Sequence, residues 1–326
     1  MGGCEAFRGA AYRSCKAVGV GMCGKTVRWR RGTPGATLES AESRCLSGCK
    51  KPQARRAMGT LREKLWLFGM PVVERHRQRQ ENRGPQGHLM TALEAGVYLG
   101  IPNALYVVQQ NFPEPPFESY ARALVGFSKV VWSILGDRSS DRNDLGEVLR
   151  MAKEFPNITG ALMDDFFKHP KAEGPVGRFS LEQTEEFADR LHEGPREIDL
   201  WVVLYAHQLG LDTDEHLKRC DVVTFWNWWG REIDELEASF RRVEARAGDK
   251  PKMLGCYFQD YGSAEDGGDV TLSLERMKRQ CETGMEWLKA GRLQGMILLG
   301  NPICGLGLET VEWAREWIRE VGDQPI

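Results

Sequence analysis

From about residue 60 the chain alternates between short apolar runs and longer amphipathic stretches, and the pair repeats to the end. The apolar runs predict strands at residues 65–72, 104–109, 129–135, 158–163, 200–206, 221–225, 252–258 and 294–299. They are near-continuous in Val, Leu and Ile, as expected of parallel strands buried on both faces. The stretches between them carry apolar residues at helical spacing and predict helices at 88–100, 118–127, 142–155, 180–192, 213–219, 230–247, 271–290 and 309–321. Ser180 with Gln183 three residues on is the signature of a capping box at a helix start.

Eight strand–helix units in this length match a closed (β/α)8 TIM barrel in number and size. An open doubly wound sheet is the rival, and it usually carries a glycine-rich turn after its first strand. Here that position reads Pro71-Val72-Val73-Glu74-Arg75-His76, so the barrel is favoured.

Residues 1–57 lack either periodicity and hold 12 Lys and Arg against Glu5, Glu39 and Glu42. With a whole-chain charge of −2, the remainder is therefore acidic and does not read as a nucleic-acid binder. Residues 1–57 are expected to be a disordered basic extension or translated upstream sequence, and residues 58–326 the catalytic barrel. The rival for the extension is a tail that binds nucleic acid or anionic lipid. No run approaches the ~20 apolar residues of a membrane span, and residues 17–22 are too short and glycine-rich for a secretory signal. A soluble, cytoplasmic chain is the expectation. Five of the nine cysteines lie in the extension, at Cys45-x3-Cys49 and singly, without a zinc-site spacing. Cys220, Cys256, Cys281 and Cys304 sit singly in apolar segments and read as buried thiols. Neither a metal nor another cofactor is expected.

In such barrels the chemistry gathers at the C-terminal ends of the strands. Those ends carry Asn111 and Glu114 after strand 2, Asp137 after strand 3, and Asp164-Asp165 after strand 4. Strand 5 is followed by Tyr205 and His207, strand 6 by Trp226-Asn227-Trp228-Trp229, strand 7 by Gln259-Asp260-Tyr261, and strand 8 by Asn301. Carboxylates, amides and large aromatics suit sugar chemistry: one carboxylic acid protonates a glycosidic oxygen while a second attacks or activates water. Aromatic faces pack on pyranose C–H groups. Gly160-Ala161-Leu162-Met163-Asp164-Asp165-Phe166-Phe167 and Trp226-Asn227-Trp228-Trp229 give the sequence a resemblance to TIM-barrel glycoside hydrolases. The resemblance implies a catalytic acid at the end of strand 4. The strand-7 Glu of several such families is here replaced by Gln259-Asp260.

The expected catalytic residues are Asp164, Asp165 and Asp260. Apolar neighbours Leu162, Met163, Phe166 and Phe167 favour a protonated acid at strand 4, and the polar setting of Asp260 favours a base or nucleophile. Adjacent strand residues point to opposite sides, so one of Asp164 and Asp165 is expected to face the pocket. Asp137, Glu114, Asn111, His207, Trp226, Asn227, Trp228, Tyr261 and Asn301 are expected to bind a carbohydrate or other small polyol. Two alternatives stand beside this reading. One is a phosphosugar isomerase or epimerase using Gly262, Gly267, Gly268, Gly300, Gly305 and Gly307 after strands 7 and 8. The other is a sugar-binding barrel without catalysis.

Overall fold

The structure, a computed structural model, describes residues 59–72, 90–109, 111–136, 142–260 and 270–326. The expected extension, the Glu74-Arg75-His76 turn, Asp137, Tyr261, Gly262, Gly267 and Gly268 lie outside the described residues.

The strands are β1 Leu65–Gly69, β2 Asn103–Tyr106, β3 Lys129–Ser133, β4 Ile158–Met163, β5 Asp199–Tyr205, β6 Val222–Trp226, β7 Lys252–Tyr257, β8 Gln259–Asp260, β9 Val270–Thr271 and β10 Gly295–Leu299. Eight of them close in parallel as β1-β10-β7-β6-β5-β4-β3-β2, so the barrel is the fold; β8 and β9 form a small antiparallel hairpin at its rim. The helices are α1 Ala92–Leu99, α2 Glu118–Ala123, α3 Leu145–Glu154, α4 Leu181–His192, α5 Asp214–Arg219, α6 Leu236–Ala247, α7 Leu274–Lys289 and α8 Glu309–Val321.

Element boundaries follow local chemistry. β1 stops at Gly69 rather than at residue 72, because Pro71 has no N–H and the Met70 N–H is taken by the Asn301 side chain at 2.8 Å. α4 starts behind Ser180, whose hydroxyl accepts from Gln183 N while the Gln183 side chain accepts from Ser180 N. The segment expected as a helix from 230 opens as a 3-10 turn, Gly230–Glu235, before α6. Its first free N–H groups meet side chains: Gly230 N donates to Asp260 and Trp229 N to Glu232. α7 begins only after Ser273, since Thr271 pairs with Gln259 in the hairpin.

Two apolar layers result. Ala104, Ala161, Val202, Phe225, Leu254 and Leu298 face the helices. Trp66, Leu105, Val131, Leu162, Trp201, Val203 and Ile297 fill the barrel, with Phe68, Tyr205, Trp226, Tyr257 and Leu299 above them. Trp66 and Trp201 meet across the interior at 5.1 Å between ring centroids. Nearer the rim Trp226 spans from β6 to Phe68 of β1 at 5.3 Å and touches Tyr257 at 5.2 Å. A β-carbon at Gly255, the registered neighbour of Trp226, would run into the indole, so only glycine admits that ring. The barrel is thereby plugged, and its open side is the rim above Trp226. Cys220, Cys256, Cys281 and Cys304 are buried and free.

Candidate active site at the barrel rim

Gly160 and Leu162 face the barrel interior, and Asp164 continues that alternation one step past the end of β4. Asp165 breaks the alternation. Its backbone enters the left-handed region at φ 48°, which is uncommon for a residue with a β-carbon. The turn brings its carboxylate to the inward-facing Tyr205 of β5, whose hydroxyl donates to Asp165 Oδ1 at 3.0 Å. Asp164 Oδ1 accepts the Asp165 N–H at 3.0 Å. Both aspartates are half-buried. Burial, with Asp165, Tyr257 and Asp164 adding their electrostatic effect, pushes the Tyr205 phenol well above its ordinary range. The phenol is therefore a permanent donor at working pH, aimed at a carboxylate.

An aromatic wall stands beside this pair. The His207 ring stacks on Tyr205 with centroids 5.4 Å apart and planes 7° from parallel. Trp228 meets Tyr205 edge-on at 5.0 Å, and Trp229 and His169 approach His207 at 5.5 and 5.4 Å. Trp228 is half-buried and packs on the interior layer, so part of its ring stays open at the rim.

The remaining expected residues are distributed as follows. Trp226 is 1% exposed and forms the floor, its Nε1–H donating to Thr224. Asn227 is equally buried, and neither its amide oxygen nor its nitrogen has a hydrogen-bond partner. Asp260 lies on the β8–β9 hairpin with Oδ1 accepting from Gly230 N at 2.8 Å; a β-carbon at Gly230 would collide with that carboxylate. Asp260 also neighbours Glu232, a carboxyl pushed upward mainly by its burial. Asn301 uses both amide ends internally, accepting from Met70 N and donating to Met90 O at 2.9 Å. Asn111 and Glu114 are exposed on the loop after β2, which Arg142 braces through the Asn111 and Pro113 carbonyls. Asp137 and Tyr261 fall outside the described residues.

The structure thus brings Asp164, Asp165, His207 and Trp228 together. It adds Tyr205 and Tyr257, the last residues of β5 and β7, which are not among the expected site residues. After β10 the chain makes a three-residue 3-10 turn, Asn301–Ile303, and Gly305 and Gly307 then lead into α8, whose N-cap Leu308 makes no side-chain hydrogen bond. Among the described residues no group of three or more His, Cys, Asp or Glu could hold a metal ion, and no helix is long and apolar enough to cross a membrane.

No protein-family model and no curated protein sequence matches the chain. Solved structures share its barrel architecture at low identity. One is a glycoside hydrolase family 17 β-1,3-glucanosyltransferase from Rhizomucor miehei, 12% identical over 74% of this chain and 88% of the other, TM-score 0.45. Another is a plant class V chitinase mutant from Cycas revoluta in complex with (GlcNAc)3, 12% identical over 77% and 98%, TM-score 0.49. A tryptophan synthase complex from Pyrococcus furiosus is similar to the same degree, 12% identical over 81% and 98%, TM-score 0.46. The likeness is one of barrel fold alone.

Proposed function

We propose that the chain is a hydrolase of glycosidic bonds whose chemistry is carried by the strand-4 carboxylates. The observation behind this reading is the Tyr205–Asp165 hydrogen bond beside Asp164, at the rim of a plugged barrel and against an aromatic wall. Asp164 serves as the general acid that protonates the leaving oxygen. Asp165, held by the Tyr205 donor, presents negative charge to the sugar carbon as positive charge develops there; a water bonds to that carbon as the bond to the leaving oxygen breaks, and Asp165 takes the proton that the water gives up. Trp228 takes the apolar face of the sugar ring, and the unmet amide of Asn227 and the exposed Asn111 and Glu114 serve its hydroxyls. Asp260 supports the reading less directly, through the loop it holds by accepting from Gly230 N. No cofactor is required by this chemistry.

The test is turnover on a panel of aryl glycosides and oligosaccharides by the wild type and by Asp164→Asn, Asp165→Asn and Asp260→Asn. Loss of a general acid–base group costs about 10²–10⁴-fold. Such losses in the first two variants, with binding retained, are the expected result. A wild type that binds sugars but turns over none of them assigns the rim to recognition alone.

A further inference from the structure

The Tyr205–Asp165 hydrogen bond lies past the last β4–β5 pair, Met163 with Val202: Asp165 is beyond the end of β4, while Tyr205 closes β5 in register with Trp226 of β6. Something else must fix their spacing. Directly after β5 the chain makes one 3-10 turn, Ala206–Gln208, which folds the Gln208 side chain back beneath Tyr205. Gln208 Oε1 accepts the Tyr205 N–H at 2.9 Å, and Nε2 donates to the Phe167 carbonyl at 3.0 Å and the Lys168 carbonyl at 3.3 Å. The side chain is 0% exposed, so these bonds have no competition from water.

We infer that Gln208 is a positioning residue for the rim: its amide locks the Asp165 turn to Tyr205 and so sets the phenol–carboxylate contact. The inference rests on the glycosidase reading for its kinetic consequence. An independent feature of the fold has the same form. Gln280 of α7, also 0% exposed, accepts the Tyr257 N–H at 3.0 Å and donates to the Tyr257 carbonyl at 3.2 Å. Two buried primary amides thus hold the main chain of the two inward tyrosines where the ladder runs out. An amide suits this task because it offers an acceptor on one side and donors on the other. At Gln208 the acceptor faces an N–H and the donors face two carbonyls, so the order cannot be reversed.

That polarity gives the test. Gln208→Glu presents the same acceptor to Tyr205 N, but its other oxygen faces the Phe167 and Lys168 carbonyls. It replaces the amide only while it carries a proton, which burial and the carbonyl dipoles favour. The titratable and charged groups around the position include Tyr205 and His207 on its own turn, Asp165, Lys168 and His169 on the loop after β4, and Arg242 and Arg246 of α6, which donate to the Leu209 carbonyl. All are present in the wild type, whose profile is the reference. Relative to the wild type, Gln208→Glu is expected to retain near-full kcat at pH about 5. It loses ~10-fold or more by pH about 9, with KM little changed and cooperative melting at both ends. A ratio to wild type that stays constant across pH overturns the inference. If Gln208→Glu does not melt cooperatively, Gln208→Met decides: a fall in kcat with unchanged KM supports the role, and full kcat overturns it. If the wild type hydrolyses no glycoside, the reading of the function fails, and the positioning is tested by 19F resonance of 5-fluorotryptophan protein. The Trp228 signal, assigned with Trp228→Phe, is expected to shift with pH in Gln208→Glu beyond its shift in the wild type; identical titrations overturn the inference.

Discussion

Replacing Tyr205 by Phe removes one hydroxyl and keeps the ring. The ring's packing is retained, because its stack on His207 and its edge contact with Trp228 use only carbon atoms and the aromatic faces. What is lost is the 3.0 Å donor to Asp165 Oδ1. A hydrogen bond to a charged group contributes about 1.5–3 kcal/mol, and each 1.4 kcal/mol is tenfold in rate. If that energy is realised only as charge develops in the transition state, kcat falls by about 10- to 150-fold. Asp165 is half-buried, so water can reach the vacated position and stability changes by only about 1 kcal/mol. The assay pairs kcat and KM on an aryl glycoside with thermal melting of the same sample. A Tyr205→Phe enzyme with kcat within about twofold of wild type, or one whose loss is matched by a large fall in Tm, refutes the role given to the phenol.

The two rim tryptophans are expected to separate. Trp226→Ala, emptying the barrel floor, costs about 3–5 kcal/mol of stability, whereas Trp228→Ala weakens sugar binding with a much smaller fall in Tm. His192 Nε2 lies 3.0 Å from Asp221 Oδ2, and that hydrogen bond raises the His192 pKa from its usual 6.5. The pair's contribution is therefore present below the unfolded value and is lost as pH rises through the folded one. The Tm gap between wild type and Asp221→Asn is expected to be wider at pH about 5 than at pH about 8. With the His192 side chain 41% exposed, the difference stays below about 1 kcal/mol. A chain starting at Met58 is expected to melt as cooperatively as the full chain; loss of the transition would make residues 1–57 part of the fold.

The barrel was legible because burial on both faces writes each strand as an unbroken apolar run. Ile158–Met163 and α8, Glu309–Val321, stand where the pattern puts them. The rim was legible as a list of residue types and less so as a geometry. Alternation predicts opposite directions for Asp164 and Asp165, but alternation holds only inside a strand, and the strand ends at Met163. The left-handed turn at Asp165 depends on its bond to Tyr205, 40 residues later, which no local pattern encodes. Asp260 reads in the sequence as a base or nucleophile at the strand-7 end. A hairpin with Thr271 and a bond to Gly230 set its place, and neither is visible in its sequence neighbours. Gln208 stands in the sequence only as a polar residue at the strand-5 end and Gln280 as one inside the expected 271–290 helix, because nothing in a sequence distinguishes an amide facing water from one clamping a buried main chain.

The most direct test of the central claim is the dependence of Asp164→Asn turnover on leaving-group acidity. A general acid matters most when the departing oxygen is basic and least when it leaves unaided. Across a series from alkyl to 2,4-dinitrophenyl glycosides, the wild type is expected to vary little. Asp164→Asn is expected to lose about 10²-fold or more on the alkyl glycosides and to approach wild type on the dinitrophenyl glycoside. An equal loss on every substrate, or none on any, would contradict the assignment of the proton donor to Asp164.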